Sequence, residues 1–300
     1  MKPTLLVLAA GMGSRYGGLK QVDPVGPNGE TLLDYSIYDA VRAGFGKVVF
    51  VIRRDFASVF QEKVGDKIAG VIRTAFVFQE MEDATGGFQP PPERKKPWGT
   101  AHAVLAARNA VSEPFAVINA DDFYGPSSYQ LMERYLMEHQ GEGEYAMIGF
   151  RLENTLSENG TVSRGICEHD AEMFLTHIEE HTAIEKVPGG ARSTLPDGTI
   201  REFKGTEVVS MNFWGFQPDV FPKLEAHFRR FLEEQGEDPK AEFFIPLAVD
   251  RMIREGTARV RILPTEESWF GVTYPQDKEA VKKGIMDKVS VGVYPARLWP

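Results

Sequence analysis

The stretch Leu5-Leu-Val-Leu-Ala-Ala-Gly-Met-Gly-Ser-Arg-Tyr-Gly-Gly-Leu-Lys-Gln21 decides the fold, because a short apolar run breaks into glycines and then offers one arginine and one lysine. The apolar run predicts a buried strand. The glycines allow the backbone to turn tightly and to bring its N–H groups close to a ligand. Arg15 can hold a phosphate group with paired hydrogen bonds, and Lys20 adds a mobile point charge. We therefore predict a loop that binds a polyphosphate.

Other interpretations of this loop differ in how well they fit. Glycine-rich turns after a first strand also serve only to cap a helix, and the glycines alone leave that interpretation open. A Walker A loop needs Gly-Lys followed by Ser or Thr, which is absent here. A dinucleotide-binding loop needs a glycine where Tyr16 stands, so it is excluded as well.

Length and composition are those of an ordinary globular protein. The chain has 300 residues, of which 42% are hydrophobic and 26% charged, and its net charge is −9. This acidic balance argues against a broad surface for nucleic acid or for an anionic membrane. The single cysteine, Cys167, excludes an intramolecular disulfide and is expected to pack rather than react. No apolar run approaches the roughly 20 residues of a membrane span, so we predict a cytoplasmic protein.

Downstream of the loop, segments with the hydrophobic spacing of a helix alternate with short apolar runs typical of buried strands. It predicts a helix over residues 32–43, ended by Gly44, and a strand over residues 47–52. A strand, loop, helix and strand in this order begin a parallel sheet covered on both faces. We therefore predict an α/β fold with a Rossmann-like, mostly parallel sheet covered by helices. Further helices are predicted over residues 56–64, 127–139, 218–234, 241–254 and 275–289, and further strands over 73–79, 144–152 and 259–263.

The middle of the chain has a different pattern from both of its flanks. After residue 152 the sequence changes to short alternating segments with frequent glycines, which predicts a small antiparallel insertion. We predict one domain over residues 1–300. It comprises a core at 1–152, this insertion at 153–217, and C-terminal helices with a closing strand at 218–300.

A long polar segment separates the predicted strand 73–79 from the helix that opens at Gly99 or Thr100. It spans residues 80–97 and carries the basic run Arg94-Lys-Lys96. Loops of this length are usually functional or disordered. The basic run suits either a lid over phosphates or a solvated face, and we predict the solvated face. Thr100 is expected to act as the N-cap of the helix.

A second landmark is Phe115-Ala-Val-Ile-Asn-Ala-Asp-Asp-Phe-Tyr-Gly125, in which an apolar strand ends in Asp121 and Asp122. In open parallel sheets ligands bind outside the carboxyl ends of the strands, so this pair should face the first loop. Paired aspartates at such a place also serve as turn or helix caps. Beside a phosphate loop we favour a metal site, and hard carboxylate oxygens are ligands that Mg²⁺ prefers.

The first strand and its loop resemble those of the sugar-1-phosphate nucleotidyltransferases. The family carries Leu-Ala-Ala-Gly-x-Gly-Ser/Thr-Arg with a lysine downstream, and this chain has Leu8-Ala-Ala-Gly-Met-Gly-Ser-Arg15. The resemblance extends through about the first 220 residues, with an echo near Trp269. It implies a Mg²⁺ ion held by Asp121, with Asp122 as its neighbour.

The resemblance also implies which residues would bind the two substrates, an NTP and a sugar 1-phosphate. It places the nucleotide on the core at 1–152 and the sugar on the insertion at 153–217. Arg15 and Lys20 would be catalytic. Residues implied in nucleotide binding are Ala10, Gly11, Gly13, Ser14, Gln79, Gly99 and Thr100, and those implied in sugar binding are Gly165, Glu180 and Asn212.

Three positions depart from the family pattern. The segment from Tyr16 to Lys20 is compressed and is more similar to the cytidylyltransferase and molybdenum-cofactor branches. His181 stands where the family has a lysine that contacts the sugar phosphate. Gly271 stands where the family has the second metal-binding aspartate. A Mg²⁺ ion would therefore be held by Asp121 and waters, or would recruit Asp122 or Asp277.

The predicted reaction joins an NTP and a sugar 1-phosphate into a nucleotide sugar and pyrophosphate, with Mg²⁺ as cofactor. One alternative is cytidylyl transfer to a phosphorylated alcohol such as phosphocholine, which the compressed loop favours. Another is a non-catalytic sensor of nucleotide sugars, which the missing carboxylate at Gly271 favours. The predicted partners are these small molecules, without nucleic acid or membrane. A homo-oligomer is compatible with the sequence.

Overall fold

The computed structural model describes residues 1–11, 23–195, 197–271 and 276–299. Its strands are β1 Thr4–Leu8, β2 Lys47–Ile52, β3 Arg73–Phe78, β4 Phe115–Asn119, β5 Asp122–Phe123, β6 Glu144–Arg151, β7 Val162–His169, β8 Leu175–Val187, β9 Gly190–Thr194, β10 Ile200–Phe203, β11 Val208–Phe216, β12 Arg259–Pro264 and β13 Phe270–Gly271. Its helices are α1 Leu32–Ala43, α2 Ala57–Phe60, α3 Asp66–Ile68, α4 Thr100–Ala106, α5 Pro126–Glu138, α6 Val220–Gln235, α7 Ile245–Arg254 and α8 Asp277–Ser290. The predicted α/β class is confirmed.

Local signals explain the ends of α1, which are those predicted. Thr31 accepts a hydrogen bond from the Asp34 amide, and the Asp34 carboxylate accepts one from the Thr31 amide. This reciprocal pair satisfies two amides that the first turn would otherwise leave unpaired. At the other end Gly44 adopts φ of 113°, a left-handed conformation that glycine reaches without strain.

The parallel core of the sheet has β1 at its centre, between β2 and β4, with β3 outside β2. In this register Leu8 aligns with Val51 and Asn119. Ala9 donates a hydrogen bond to Val51 and Ala120 donates one to Leu8, so the chain leaves β1 beside the end of β4. The predicted phosphate loop and the aspartate pair therefore begin at neighbouring strand ends.

The predicted antiparallel insertion is present, but it is continuous with the central sheet. β11 runs antiparallel to β4, and β7 to β10 extend the same sheet outward from β11. β6 pairs with β11, and β12 pairs parallel to β6. In the described residues eleven strands form this one sheet, and β5 pairs with β13 in a separate two-stranded sheet.

Apolar side chains fill three clusters. One lies around α1 and α5, a second around α4, α6 and α7, and a third joins α1 to the C-terminal segment through Tyr35 and Tyr294. Cys167 is buried in the second cluster, and burial raises the pKa of its thiol, so it packs as predicted. No helix among the described residues is long and apolar enough to cross a membrane.

The helix predicted at residues 56–64 is present, whereas two other local predictions are wrong because contacts distant in sequence override a local signal. That helix is part of a longer, irregular helical run from Arg54 to Ile68, in which a wider π-helical turn joins α2 to α3. The N-cap of α4 is Gly99, while the Thr100 hydroxyl accepts a hydrogen bond from the Ile245 amide at the start of α7.

Arg94 is the second wrong prediction, since it is buried and not part of a solvated face. Its guanidinium lies over the Trp98 ring and donates to the backbone carbonyls of Pro97, Asp238 and Ala241. It therefore anchors the 80–97 segment to the chain that precedes α7. Its neighbours Lys95 and Lys96 are exposed, as predicted.

Candidate functional site

A cleft of about 410 Å³ lies at the carboxyl end of β4. Its floor includes Asn119, Asp121 and Asp122 from the end of that strand, and one wall includes Glu180 of β8 and Asn212 of β11. Ligands of open α/β sheets bind at this position, outside the carboxyl ends of the strands. The fold thus brings two predicted metal-binding aspartates, Asp121 and Asp122, into one cavity with Glu180 and Asn212.

In the described part of the chain, Asp122 is held by a hydrogen-bond network that engages one of its two carboxylate oxygens. The Asn119 side-chain amide donates to Oδ2 over 2.8 Å, and the Tyr124 hydroxyl lies 3.2 Å from the same atom. Tyr124 also donates to the Met211 carbonyl over 3.0 Å, which ties the aspartate to β11. Oδ1 accepts no hydrogen bond from the described residues, and a side chain at Gly271 would approach it to 3.0 Å.

The aspartate pair has the electrostatics of a cation site. Burial, followed by repulsion from Asp121, raises the pKa of Asp122 well above its usual range. A divalent cation between the two carboxylates would remove this repulsion, and carboxylate oxygen is the donor that Mg²⁺ prefers. Among the described residues no three carboxylate, histidine or cysteine side chains gather around one point, so the pair fits a cation that keeps waters or phosphate oxygens.

The structure explains why a side chain at residue 271 is absent. Gly271 of β13 pairs with Asp122 of β5. A Cβ at residue 271 would lie 2.2 Å from the Trp269 ring. The Trp269 indole therefore fills the space that a side chain at residue 271 would need. Asp122, which pairs with Gly271, supplies a carboxylate beside that space.

Asp277, the other candidate second ligand, has a different environment. Its Oδ1 accepts hydrogen bonds from the Ser157 hydroxyl over 3.0 Å and from the Asn159 side-chain amide over 2.8 Å. It is buried at the start of α8 and is not part of the cleft wall. These contacts favour a structural role that joins α8 to the segment before β7.

Two of the three predicted sugar-binding residues line the cleft. Glu180 is exposed there as a residue. Removal of its carboxyl from water by the cleft walls raises the pKa of this group, and the positive charge of Arg164 opposes the shift. Asn212 has φ of 61°, inside an irregularity where the pairing of β11 with β6 shifts. Such a strained position in an extended strand is typical of functional sites. Gly165 pairs with Glu180, and a Cβ there would lie 2.9 Å from the Ile178 side chain and 3.4 Å from the Glu180 carboxyl.

His181 does not replace the lysine of the family pattern. Its side chain is buried and contacts Phe203, Ser193 and Glu179, away from the cleft. Alternation along β8 accounts for this, because adjacent residues of a strand point to opposite faces. His181 therefore cannot contact a sugar phosphate bound in the cleft.

Arg164 is a cleft residue that the sequence analysis missed. Its guanidinium lies over the Trp269 ring at 4.5 Å and donates to Thr155 and Ser163. Burial lowers its pKa to about 10, and the negative charges of Asp122 and Glu180 oppose this shift. Arg164 thus places a fixed positive charge between the aspartate pair and the sugar side. The available signal was its place next to Gly165, a residue that the resemblance implies in sugar binding.

The residues predicted to select the base form a connected but separate group. The Gln79 amide nitrogen donates to the Gly99 carbonyl over 3.0 Å and lies 3.1 Å from His102 Nδ1. Burial lowers the pKa of His102, which keeps the ring neutral and able to accept this hydrogen bond. The orientation of the Gln79 amide is thereby fixed. Thr100 lines the 410 Å³ cleft, whereas Gln79 and Gly99 do not.

The predicted phosphate-binding residues are only partly within the described chain. Ala10 is buried and Gly11 is exposed, directly after β1. Gly13, Ser14, Arg15 and Lys20 lie outside the described residues.

Comparison with known proteins agrees with this architecture. The fold is similar to that of the inositol-1-phosphate CTP transferase from T. maritima, with a TM-score of 0.65, 14% identity and 97% coverage of both chains. It is similar to a Bacillus anthracis protein described as a glucose-1-phosphate thymidylyltransferase, with a TM-score of 0.62, 13% identity and 95% coverage of both chains. It is also similar to a UDP-glucose pyrophosphorylase, with a TM-score of 0.62, 17% identity and coverage of 96% of this chain and 100% of the other.

At the sequence level, no protein with a curated description matches. The family model named Nucleotidyl transferase matches residues 5–277, which include β1, the aspartate pair and the whole cleft. The chain is therefore an enzyme that belongs to the nucleotidyl transferase family.

Proposed function

We propose that this enzyme transfers a nucleoside monophosphate from an NTP to a sugar 1-phosphate and releases pyrophosphate. The observation that supports this most directly is the shared cleft. It joins the Asp121 and Asp122 pair, suited to phosphate-bound Mg²⁺, to Glu180 and Asn212, whose polar groups suit sugar hydroxyls.

The reaction requires the protein chiefly to align the two substrates and to neutralise negative charge on their phosphate groups. The phosphate oxygen of the acceptor is already anionic, so it can attack the α-phosphorus of the NTP in line without a general base. Arg15 and Lys20 would bind the leaving pyrophosphate from the loop after β1. Arg164 would set the electrostatic balance between the aspartates and Glu180. Mg²⁺, held by Asp121 with Asp122 beside it, would supply neutralisation of charge on the phosphate oxygens.

Base recognition is proposed for the group around Gln79. With its nitrogen directed to Gly99 and His102, the amide presents its oxygen as an acceptor for a donor group on the base edge. A site built for such a hydrogen bond is left with unpaired buried groups when the wrong base binds. Gln79→Ala should therefore relax the NTP preference, whereas an unchanged preference would place the base elsewhere.

A second candidate reaction is nucleotidyl transfer to a phosphorylated alcohol. The compressed loop from Tyr16 to Lys20 favours it, and one protein of similar fold is an inositol-1-phosphate CTP transferase. The cleft walls from Glu180 and Asn212 suit a cyclic polyol as well as a sugar, since both present hydroxyl groups.

A substrate screen tests both candidates. Each of the four common NTPs is incubated with Mg²⁺ and a panel of sugar 1-phosphates, inositol 1-phosphate and phosphocholine, and released pyrophosphate is measured. We expect release with one or two NTPs and a sugar 1-phosphate. Release only with inositol 1-phosphate or phosphocholine would establish the second candidate. No release with any pair would overturn the proposed function.

A further inference from the structure

Phe243 and Phe244 are adjacent phenylalanines with opposite environments. Phe243 is fully buried and packs against Phe228 and Phe231, with ring centroids 5.5 and 5.4 Å apart. Phe244 is 41% exposed and has no aromatic partner among the described residues. It lines the same cleft as Glu180 and Asn212. Core packing therefore explains Phe243 and leaves Phe244 without a structural reason.

The backbone that carries Phe244 is fastened on both sides. The Phe243 amide donates to the Trp98 carbonyl and the Ala101 amide donates to the Phe243 carbonyl over 3.0 Å. The Ile245 amide donates to the Thr100 hydroxyl over 3.0 Å. An exposed ring on such a rigid support is pre-organised, so a ligand that stacks on it loses little conformational entropy in ordering it.

The chemistry around the ring suits a sugar more closely than a base. A pyranose presents C–H groups on a ring face and hydroxyls around its edge. Phe244 offers an apolar face to the C–H groups, while Glu180 and Asn212 offer hydrogen-bonding groups to the hydroxyls. Gln79, the proposed base-reading residue, does not line this cleft.

We propose that Phe244 is the stacking platform for the sugar ring of the acceptor. This assignment rests on the proposed function and deepens it, since it makes a ring with an apolar face a requirement of the acceptor. Phe244 is then a substrate-positioning residue that contacts the acceptor and takes no part in the chemical step.

Steady-state kinetics of Phe244→Ala test the assignment with the sugar 1-phosphate that gives the highest turnover in the wild-type screen. We expect KM for the sugar phosphate to rise about 10-fold, the size of an aromatic stacking contact, while kcat and KM for the NTP stay within 2-fold. Phe244→Tyr should retain the wild-type KM. Phe244→Leu, which is apolar without an aromatic face, should lie between. Met286→Ala, which removes a similarly exposed apolar side chain on α8, is the matched control.

A binding measurement separates stacking from an indirect effect. Saturation-transfer NMR with the sugar 1-phosphate alone should show transfer to the ring C–H protons in the wild type and clearly weaker transfer at the same concentrations in Phe244→Ala, with equal melting temperatures of the two proteins.

The outcomes are distinguishable. An unchanged KM for the sugar phosphate in Phe244→Ala, with an active wild type, overturns the platform and leaves the proposed function intact. A raised KM for the NTP alone also overturns it and puts the ring against the base. A wild type inactive with every sugar phosphate overturns the proposed function, and the platform with it.

Discussion

Asp121 and Asp122 are adjacent in sequence, yet their surroundings give them different tasks. Asp122 is buried and committed through Oδ2 to Asn119 and Tyr124, which fixes its position. Asp121 is half-buried in the cleft floor. At the scale of single residues, a rigid carboxylate beside a more accessible one suits a metal site that is completed only when phosphate oxygens arrive.

Asp121→Asn should lower turnover by roughly 10² to 10³-fold, since it removes a pre-organised charge from the reaction centre. Isothermal titration calorimetry of the wild-type protein should show no Mg²⁺ binding without an NTP, because a site with two carboxylates lacks enough ligands by itself. Asp277→Asn is the control and should keep turnover within a few-fold. Tight Mg²⁺ binding to the nucleotide-free protein, or an active Asp121→Asn enzyme, would place the metal on other residues.

Asp39 couples folding to pH. It is buried under the C-terminal segment, where the Tyr294 hydroxyl donates to its Oδ2 over 2.7 Å and its Oδ1 has no hydrogen-bond partner among the described residues. Burial raises its pKa to about 7. Between pH 4 and 7 the folded protein holds a proton on this group that the unfolded chain has lost, so stability falls as pH rises through this window.

Asp39→Asn should remove this dependence. The free energy of unfolding of the variant, relative to that of the wild type, should increase by up to about 1.4 kcal/mol per pH unit between pH 4 and 7. Urea unfolding at pH 4.5, 6 and 7.5 measures it. Parallel pH profiles for the two proteins would show that Asp39 is ionised throughout in the folded state.

At the scale of elements, the start of α4 is joined to the start of α7. Gly99 makes this possible, since it has φ of 102° and a Cβ there would lie 2.8 Å from the Phe243 carbonyl oxygen. The segments with the proposed base-reading and sugar-stacking residues therefore form one rigid unit. The 80–97 segment is fastened to the same place through Arg94 and Trp98.

Gly99→Ala should destabilise the protein by about 2–4 kcal/mol, because it adds overpacking against a backbone to an unfavourable φ. Gly87→Ala is a matched control, since Gly87 has φ of 96° with nothing within 4 Å of the added Cβ. The difference between the two unfolding free energies isolates the Phe243 contact. Equal losses would mean that the two segments are not joined as described.

At the scale of the whole molecule, the sheet joins parts that the sequence pattern separates. β11 pairs with β4 of the core as well as with β7 of the insertion, so neither part has a sheet of its own. We predict that thermal unfolding is a single cooperative transition with equal calorimetric and van't Hoff enthalpies. Limited proteolysis should release no stable fragment of residues 153–217. Two resolved transitions would instead establish separate folding units.

The sequence by itself determined the features that depend on short-range physics. A capping box and a C-terminal glycine set the ends of α1, and alternating strands and helices predict the parallel core. The location of Asp121 at the edge of the sheet follows from its place after an apolar strand. Each of these signals spans only a few residues, so it can be recognised without knowledge of the rest of the chain.

Only the tertiary structure decided which side chains meet. His181 points away from the cleft because alternation along β8 directs Glu180 into it, and Arg94 is buried because the chain before α7 covers it. Arg164 and Phe244 reach the cleft through pairings with residues far away in sequence. Strand register and helix packing set these positions by burying apolar surface over the whole molecule, and no local pattern records that balance.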